Sequence, residues 1–317
     1  MRISEFFIFL MLFSFVGAYT PIGGGVCECS NCGDCTNALN DYVDCYFEVR
    51  LGSDISSSDT CIQNLNARNK TFDCQFHSIT GNLGNQTSGI IISSNETFNF
   101  TIKNCIINNF FYGIVIQDSL EINVINNNIS ENNYSGIVTS NISNCIFENN
   151  TLSNNAYASF FISTTGSSSF VGNNISTIGN ANHLNGFSVA NSTYNLFRDN
   201  YIKELTNGFF LRNSHHNIIE HNLLYNSSYG GIILYTEGNT NNTIKNNTIK
   251  NATGGIYIFQ NSNNNSVMGN DISDVYYAIY LNGNSNNISY NNLSEGDRIV
   301  YLYSASRNIL SQNNIYI

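Results

Sequence analysis

Side chains capable of chemistry are scarce in this chain, and one concentration of them lies between positions 198 and 245. Arg198, Glu220 and Lys245 recur at one position of a repeat, Asp199 and His221 at the next, and Arg212, His215 and His216 fall in the same stretch. Asp199 and Glu220 at one repeat spacing would be a carboxylate pair, and glycosidases flank the scissile bond with two carboxyls about 5 Å or more apart. In that reading Asp199, Glu220 and His221 are the catalytic candidates, while Arg198, Arg212 and Lys245 would hold the ligand. The competing reading is an alternating-sign ladder across neighbouring strands on a solvated surface, and it is the favoured one.

A second concentration is the run Cys27-Glu28-Cys29-Ser30-Asn31-Cys32-Gly33-Asp34-Cys35. As thiolates, Cys27, Cys29, Cys32 and Cys35 could hold a zinc-type metal. In an oxidising compartment they would form disulfides instead. The N-terminus decides the compartment. Arg2, an apolar stretch from Phe6 to Val16, and Gly17-Ala18 before Tyr19 have the layout of a secretory signal peptide at residues 1–18. An uncleaved anchor is the alternative. Disulfides are therefore expected, in an order that spacing does not reveal. Nine cysteines are an odd number, so one must stay outside intramolecular pairs.

Composition narrows the class. There are 12 Lys plus Arg against 22 Asp plus Glu, a net charge of −10, which argues against nucleic-acid partners. No apolar run beyond the N-terminus approaches the ~20 residues of a membrane span. Hydrophobic residues at 42% and aromatics at 13% exceed what disordered segments carry. The chain contains 58 Asn and one Pro, and proline is excluded where ladders need N–H donors.

The elements that must position these residues come from a repeat. An apolar anchor recurs at Ile107, Ile129, Leu152, Ile175, Ile202, Leu224, Ile249, Ile272, Leu293 and Ile315, in steps of 21 to 27 residues. The longest step carries an insertion around 178–185. Five places before each anchor the residue is apolar; a second apolar strand begins seven or eight places after it. Two places before the anchor stand Asn127, Asn150, Asn173, Asn200, Asn222, Asn247, Asn270, Asn291 and Asn313, with Cys105 breaking the column. The later coils add Asn195, Asn217, Asn242, Asn265, Asn286 and Asn308 seven places before it. Units of ~23 residues are too short for strand–helix–strand, which needs ~30, so each must turn by short corners and stack on the next. The fold expected is an all-β, single-stranded right-handed parallel β-helix of about ten to twelve coils over residues 47–317, behind a Cys-rich segment at 19–46. Stacked amides would satisfy one another as ladders. Gly113, Gly136, Gly186, Gly208, Gly231 and Gly255 precede the second strand, where a corner is expected to need permissive backbone angles.

The columns resemble the right-handed β-helix repeat family of NosD-like periplasmic proteins, pectate lyases and other carbohydrate-associated β-helices. The resemblance covers about 47–317, including Cys61-Ile62 and the run Thr71 to Gly81 as first coils. It implies fold strongly and activity weakly. The clustered Asp motifs, Gly-His-Gly and Arg-x-Lys of polygalacturonase-like members are absent. The NosD resemblance implies copper handling, for which His215, His216 and His221 are the candidate ligands. The phenylalanine columns Phe147, Phe170, Phe197 and Phe160, Phe187, Phe209 are in phase with the core, whereas Tyr112, Tyr229 and Tyr277 are candidates for an exposed binding row.

About 17 Asn-x-Ser/Thr sequons occur, among them Asn69, Asn95, Asn128, Asn141, Asn174, Asn191, Asn246 and Asn287. None is a ladder residue. The reading is a secreted or cell-surface β-helix, periplasmic where an outer membrane exists, acting as a structural, adhesive or carbohydrate-binding module. A polysaccharide-acting enzyme and a copper-handling protein are the alternatives. The partners expected are glycans or envelope components, with no cofactor, no integral-membrane segment after signal cleavage, and association through an uncapped C-terminal end.

Overall fold

The computed structural model describes residues 19–316 apart from 64, 95, 178–184 and 237. The expected signal peptide, the sequon at Asn95 and nearly all of the insertion lie outside the described residues. The rest is an all-β parallel right-handed solenoid of about 12 turns. Each coil has three faces. The first carries three-residue strands such as Leu196–Arg198, Ile218–Glu220 and Thr243–Lys245. The second is centred on the anchors, as in Tyr201–Lys203. The third is longer, as in Asn207–Arg212.

Alternation along each strand sends one residue in and its neighbours out. The inward residues stack in register, with Phe147 over Phe170, Phe170 over Phe197 and Phe197 over Ile219. The rings of Phe147 and Phe170 lie parallel at 4.6 Å. A second stack, Phe160, Phe187 and Phe209, meets the first edge-on, with Phe187 5.2 Å from Phe197. All six are fully buried.

The ladder amides close the corner between the first two faces. Asn200 Nδ2 donates to Asn222 Oδ1 at 2.9 Å and Asn222 Nδ2 to Asn247 Oδ1 at 2.9 Å, while each Oδ1 also accepts the backbone N–H of the preceding rung. A second ladder runs from Asn195 through Asn217 and Asn242 to Asn265 at the corner between the third and first faces. Its earlier rungs are smaller. The Ser168 hydroxyl accepts from Cys145 N, and Cys145 Sγ from Ile122 N. Cys145 is the unpaired cysteine, and burial pushes its thiol up to about 11.

Each corner turns on a left-handed residue. One column is Asn126, Asn149, Gly172, Asp199, His221, Asn246, Gly269 and Tyr290, with φ between 54° and 65°. Asn, Asp, His and Gly tolerate that conformation best. The glycines that open the third face do not adopt it, which corrects the expectation of permissive angles there. They answer a steric demand: a Cβ on Gly113 would lie 2.5 Å from the carbonyl oxygen of Gly136, and one on Gly208 2.6 Å from that of Gly231.

The N-terminal segment covers the first coil. Thr20–Gly23 and Val26–Cys29 form an antiparallel pair, Val26–Cys29 stacks in parallel on Glu48–Leu51, and helix α1 (Cys32–Asn40) lies beside them. Asn31 caps α1 by accepting Asp34 N–H. Its C-terminal carbonyls are met by a buried cation. Lys70 Nζ lies 2.8 Å from Leu39 O and 2.7 Å from Asp41 O, with the Tyr42 ring 4.4 Å away. Lys70→Met fills the space but supplies no donor, so it is expected to destabilise the cap by about 2–4 kcal/mol, read as a lower guanidinium midpoint.

Candidate functional site

The structure places the charged residues as a ladder. Arg198, Glu220 and Lys245 are register neighbours on the outside of the first face, and Lys245 Nζ lies 2.9 Å from Glu220 Oε2. Asp199 occupies the following corner, 57% exposed, with the Arg198 guanidinium 3.4 Å from its carboxylate. Its register neighbour is His221, while Glu220 pairs with Arg198, so the two carboxylates belong to different columns. Arg212 is remote from both, on the third face.

The three histidines divide between two corners. His215 Nδ1 lies 2.8 Å from Thr240 Oγ1, and burial with His216 beside it lowers its pKa. His216 stacks on Tyr194 at 4.9 Å. His221 is at the other corner, 3.4 Å from Asn246 Nδ2. Among the described residues no three His, Cys, Asp or Glu converge for a metal. The cysteine run forms disulfides, as expected of an oxidising compartment. Cys27 pairs with Cys45, Cys29 with Cys35 and Cys32 with Cys61, leaving no thiolate there, and Cys74 pairs with Cys105.

The richest surface is the outside of the third face in the C-terminal half. The sequence Ile256-Tyr257-Ile258-Phe259 alternates in and out, which lays Tyr257 and Phe259 outward. Successive coils add rings beside them. Tyr229 stacks on Tyr257 at 5.3 Å, Tyr257 on Phe259 at 5.6 Å, Phe259 meets Tyr280 at 5.5 Å, and Tyr280 meets Tyr301 at 5.5 Å. The Arg298 guanidinium lies 5.3 Å from the Tyr301 ring. Burial among other phenols pushes Tyr257 up to about 12. Phe111, Tyr134 and Tyr157 stack similarly nearer the N-terminus.

A groove of about 450 Å³ runs along the adjoining corner, lined by Asn226, Asn251, Thr253, Asp274, Tyr276, Glu295 and Asp297 among others. Flat rings beside amides, hydroxyls and carboxylates suit ligands with apolar faces and hydroxyl edges, since aromatic side chains offer an apolar body and a polar handle. The sequence points to Tyr229 of this run of rings and to Tyr277, whose ring lies 5.8 Å from that of Tyr280. It does not single out Tyr257, Tyr280 and Tyr301, which the position directly after each inward residue would have found.

Fold and surface together define a right-handed parallel β-helix with an aromatic outer strip and a polar rim. Residues 51–183 match the right-handed beta helix region and residues 176–294 the family described as periplasmic copper-binding protein (NosD). The chain belongs to the right-handed β-helix repeat family. Among solved structures it is similar to the GH136 lacto-N-biosidase from Eubacterium ramulus (10% identity, TM-score 0.62, covering 85% of this chain and 62% of that one). It is also similar to the Dettilon tailspike protein (13%, 0.66, 85% and 61%) and to a PL6 alginate lyase in complex with a trisaccharide (12%, 0.65, 84% and 74%). The chain thus spans about three fifths of the first two, and identities this low establish fold alone. No curated protein matches. No helix among the described residues is long and apolar enough to cross a membrane.

Proposed function

We propose that this chain is an extracytoplasmic β-helix that binds a glycan along the aromatic strip of its third face. The observation that carries this reading is the run of rings on the outside of the third face from Tyr229 to Tyr301, in which Tyr257 is buried beneath its neighbours while Tyr229, Phe259, Tyr280 and Tyr301 reach solvent. Four disulfides, three of them in the cap, favour an oxidising compartment. Among the described residues the histidines do not fit a copper site, so no copper chemistry is derived. An enzymatic role draws support from polysaccharide-acting neighbours alone, and product analysis on bound glycans addresses it directly.

The test is a glycan array followed by calorimetry on the best ligand. Tyr280→Ala and Tyr301→Ala are each expected to weaken binding about tenfold, since an aromatic contact carries on the order of 1 kcal/mol or more beyond its area. Arg198→Ala, on the first face, should leave affinity unchanged. Equal losses from Arg198→Ala and none from the tyrosines would overturn the reading.

A further inference from the structure

The asparagines of this chain fall into two populations that differ in burial and in neighbours. Ladder asparagines other than Asn308 and Asn313 are buried, and the residue two places on is the apolar side chain of the next strand, which bars them from being sequons. Every described sequon asparagine except Asn292 is exposed. The sequons also avoid one surface. The third-face segments 112–117, 135–140, 158–163, 185–190, 207–212, 230–235, 254–259, 277–282 and 298–303 contain none.

Six of them stand at the two edges of that face, while others, such as Asn128, Asn149, Asn174, Asn246 and Asn287, lie on the first and second faces and the corner between them. Asn226 and Asn251 stand at the corner that precedes it, and Asn141, Asn191, Asn241 and Asn264 at the corner that follows. All six are in the left-handed conformation, with φ between 50° and 59°. We propose that these rim asparagines carry Asn-linked oligosaccharides, which frame the aromatic strip; those on Asn226 and Asn251 occupy the polar groove that these two residues line, so that a ligand is left the rings of the strip alone. In the attachment step, Nδ2 displaces a polyprenyl pyrophosphate from the anomeric carbon of a lipid-linked oligosaccharide. A C–N bond forms, the C–O bond to pyrophosphate breaks, and the amide loses one proton.

The frame has a physical consequence. A six-residue strand is about 20 Å long, so the bare strip is wide enough for one extended chain. Contiguous exposed apolar surface otherwise invites protein association, and hydrated glycans on both rims obstruct a second protein more than a thin linear ligand. This consequence rests on the glycan-binding reading above, whereas attachment at the rims does not.

The full chain is secreted from a host that has an oligosaccharyltransferase, and glycopeptides are mapped by mass spectrometry before and after peptide N-glycosidase. Occupancy at rim asparagines on both edges is expected. Secreted protein whose intact mass equals that of the bare polypeptide overturns the proposal, as does occupancy confined to asparagines away from the rims. A second variant, Tyr280→Asn with Asn282→Thr, creates a sequon in the strip. Its binding to the best array ligand is compared with that of Tyr280→Ala. Occupancy of position 280 should weaken binding at least tenfold beyond Tyr280→Ala. Rims that carry glycans on a protein that binds no array ligand would defeat the glycan-binding reading and leave the modification standing.

Discussion

Replacing Asn222 with leucine is expected to destabilise the solenoid by about 3–6 kcal/mol, one of the largest effects open to a single substitution. The Asn222 amide serves three coils at once. Its Oδ1 accepts Asn200 N–H and Asn200 Nδ2–H, each at 2.9 Å. Its Nδ2 donates to Phe197 O at 3.0 Å and to Asn247 Oδ1 at 2.9 Å. Leucine matches its bulk and satisfies none of these groups. Two buried donors on Asn200 and the carbonyl of Phe197 then lose a partner, at about 1–3 kcal/mol each. Asn222→Ser should lose less, because the Ser168 rung shows that a hydroxyl can accept the neighbouring backbone N–H at 3.1 Å. Asn128→Ala, at an exposed strand position, is the control, expected within about 0.5 kcal/mol of the parent. Thermal and guanidinium unfolding read all three. A leucine variant as stable as the control would show that the ladder amides contribute nothing net.

That same column explains which parts of the molecule were legible in the sequence. Asn222 was readable because a buried amide tolerates almost no substitute, so its identity repeats at every coil. Phe147, Phe170 and Phe197 were readable for a related reason, since inward positions must stay apolar. Asp199 and His221 are set by a different rule. They drew notice as chemical groups, yet they share a left-handed corner with Asn149, Gly172 and Asn246, and the residue types found there are those that conformation admits.

The third-face strip was harder to see because outward positions obey no single rule. Its column reads Val115, Val138, Phe161, Ser188, Phe210, Ile233, Tyr257, Tyr280 and Tyr301 in register. All of its residues but Ser188 are apolar or aromatic, and three tyrosines in succession close it at the C-terminal end. Val115, Val138, Ser188, Ile233 and Tyr257 are buried under neighbouring side chains, so packing on the outside of the sheet accounts for them, and the solvent-facing part of the strip is set by Tyr229 and the half-buried Tyr280 and Tyr301. Disulfide order was illegible on different grounds. Cys32 reaches Cys61 and Cys74 reaches Cys105 across coils, and which coils stack there depends on an irregular first turn that the repeat does not describe.

Those disulfides set the second large effect. Reduction of all four is expected to free the N-terminal cap while the aromatic core persists. Each bond in a loop of this size contributes about 2–4 kcal/mol by restricting the unfolded chain, and together they hold the part of the molecule with the least repetitive packing. Three tie Val26–Cys29, α1 and the first coil to one another; the fourth joins the coil at Cys74 to the one at Cys105. From Phe147 to Phe209, by contrast, stability comes from ring stacks and two amide ladders that involve no cysteine pair. A solenoid contacts only its neighbours along the axis, so loss of a cap propagates by fraying and not by global collapse. Hydrogen exchange on the reduced protein should therefore show residues 19–105 losing protection first, with amides around Phe170, Phe187 and Phe197 still slow. Uniform loss along the chain would mean that cap and core unfold as one cooperative unit, and that the disulfides stabilise every coil through the first.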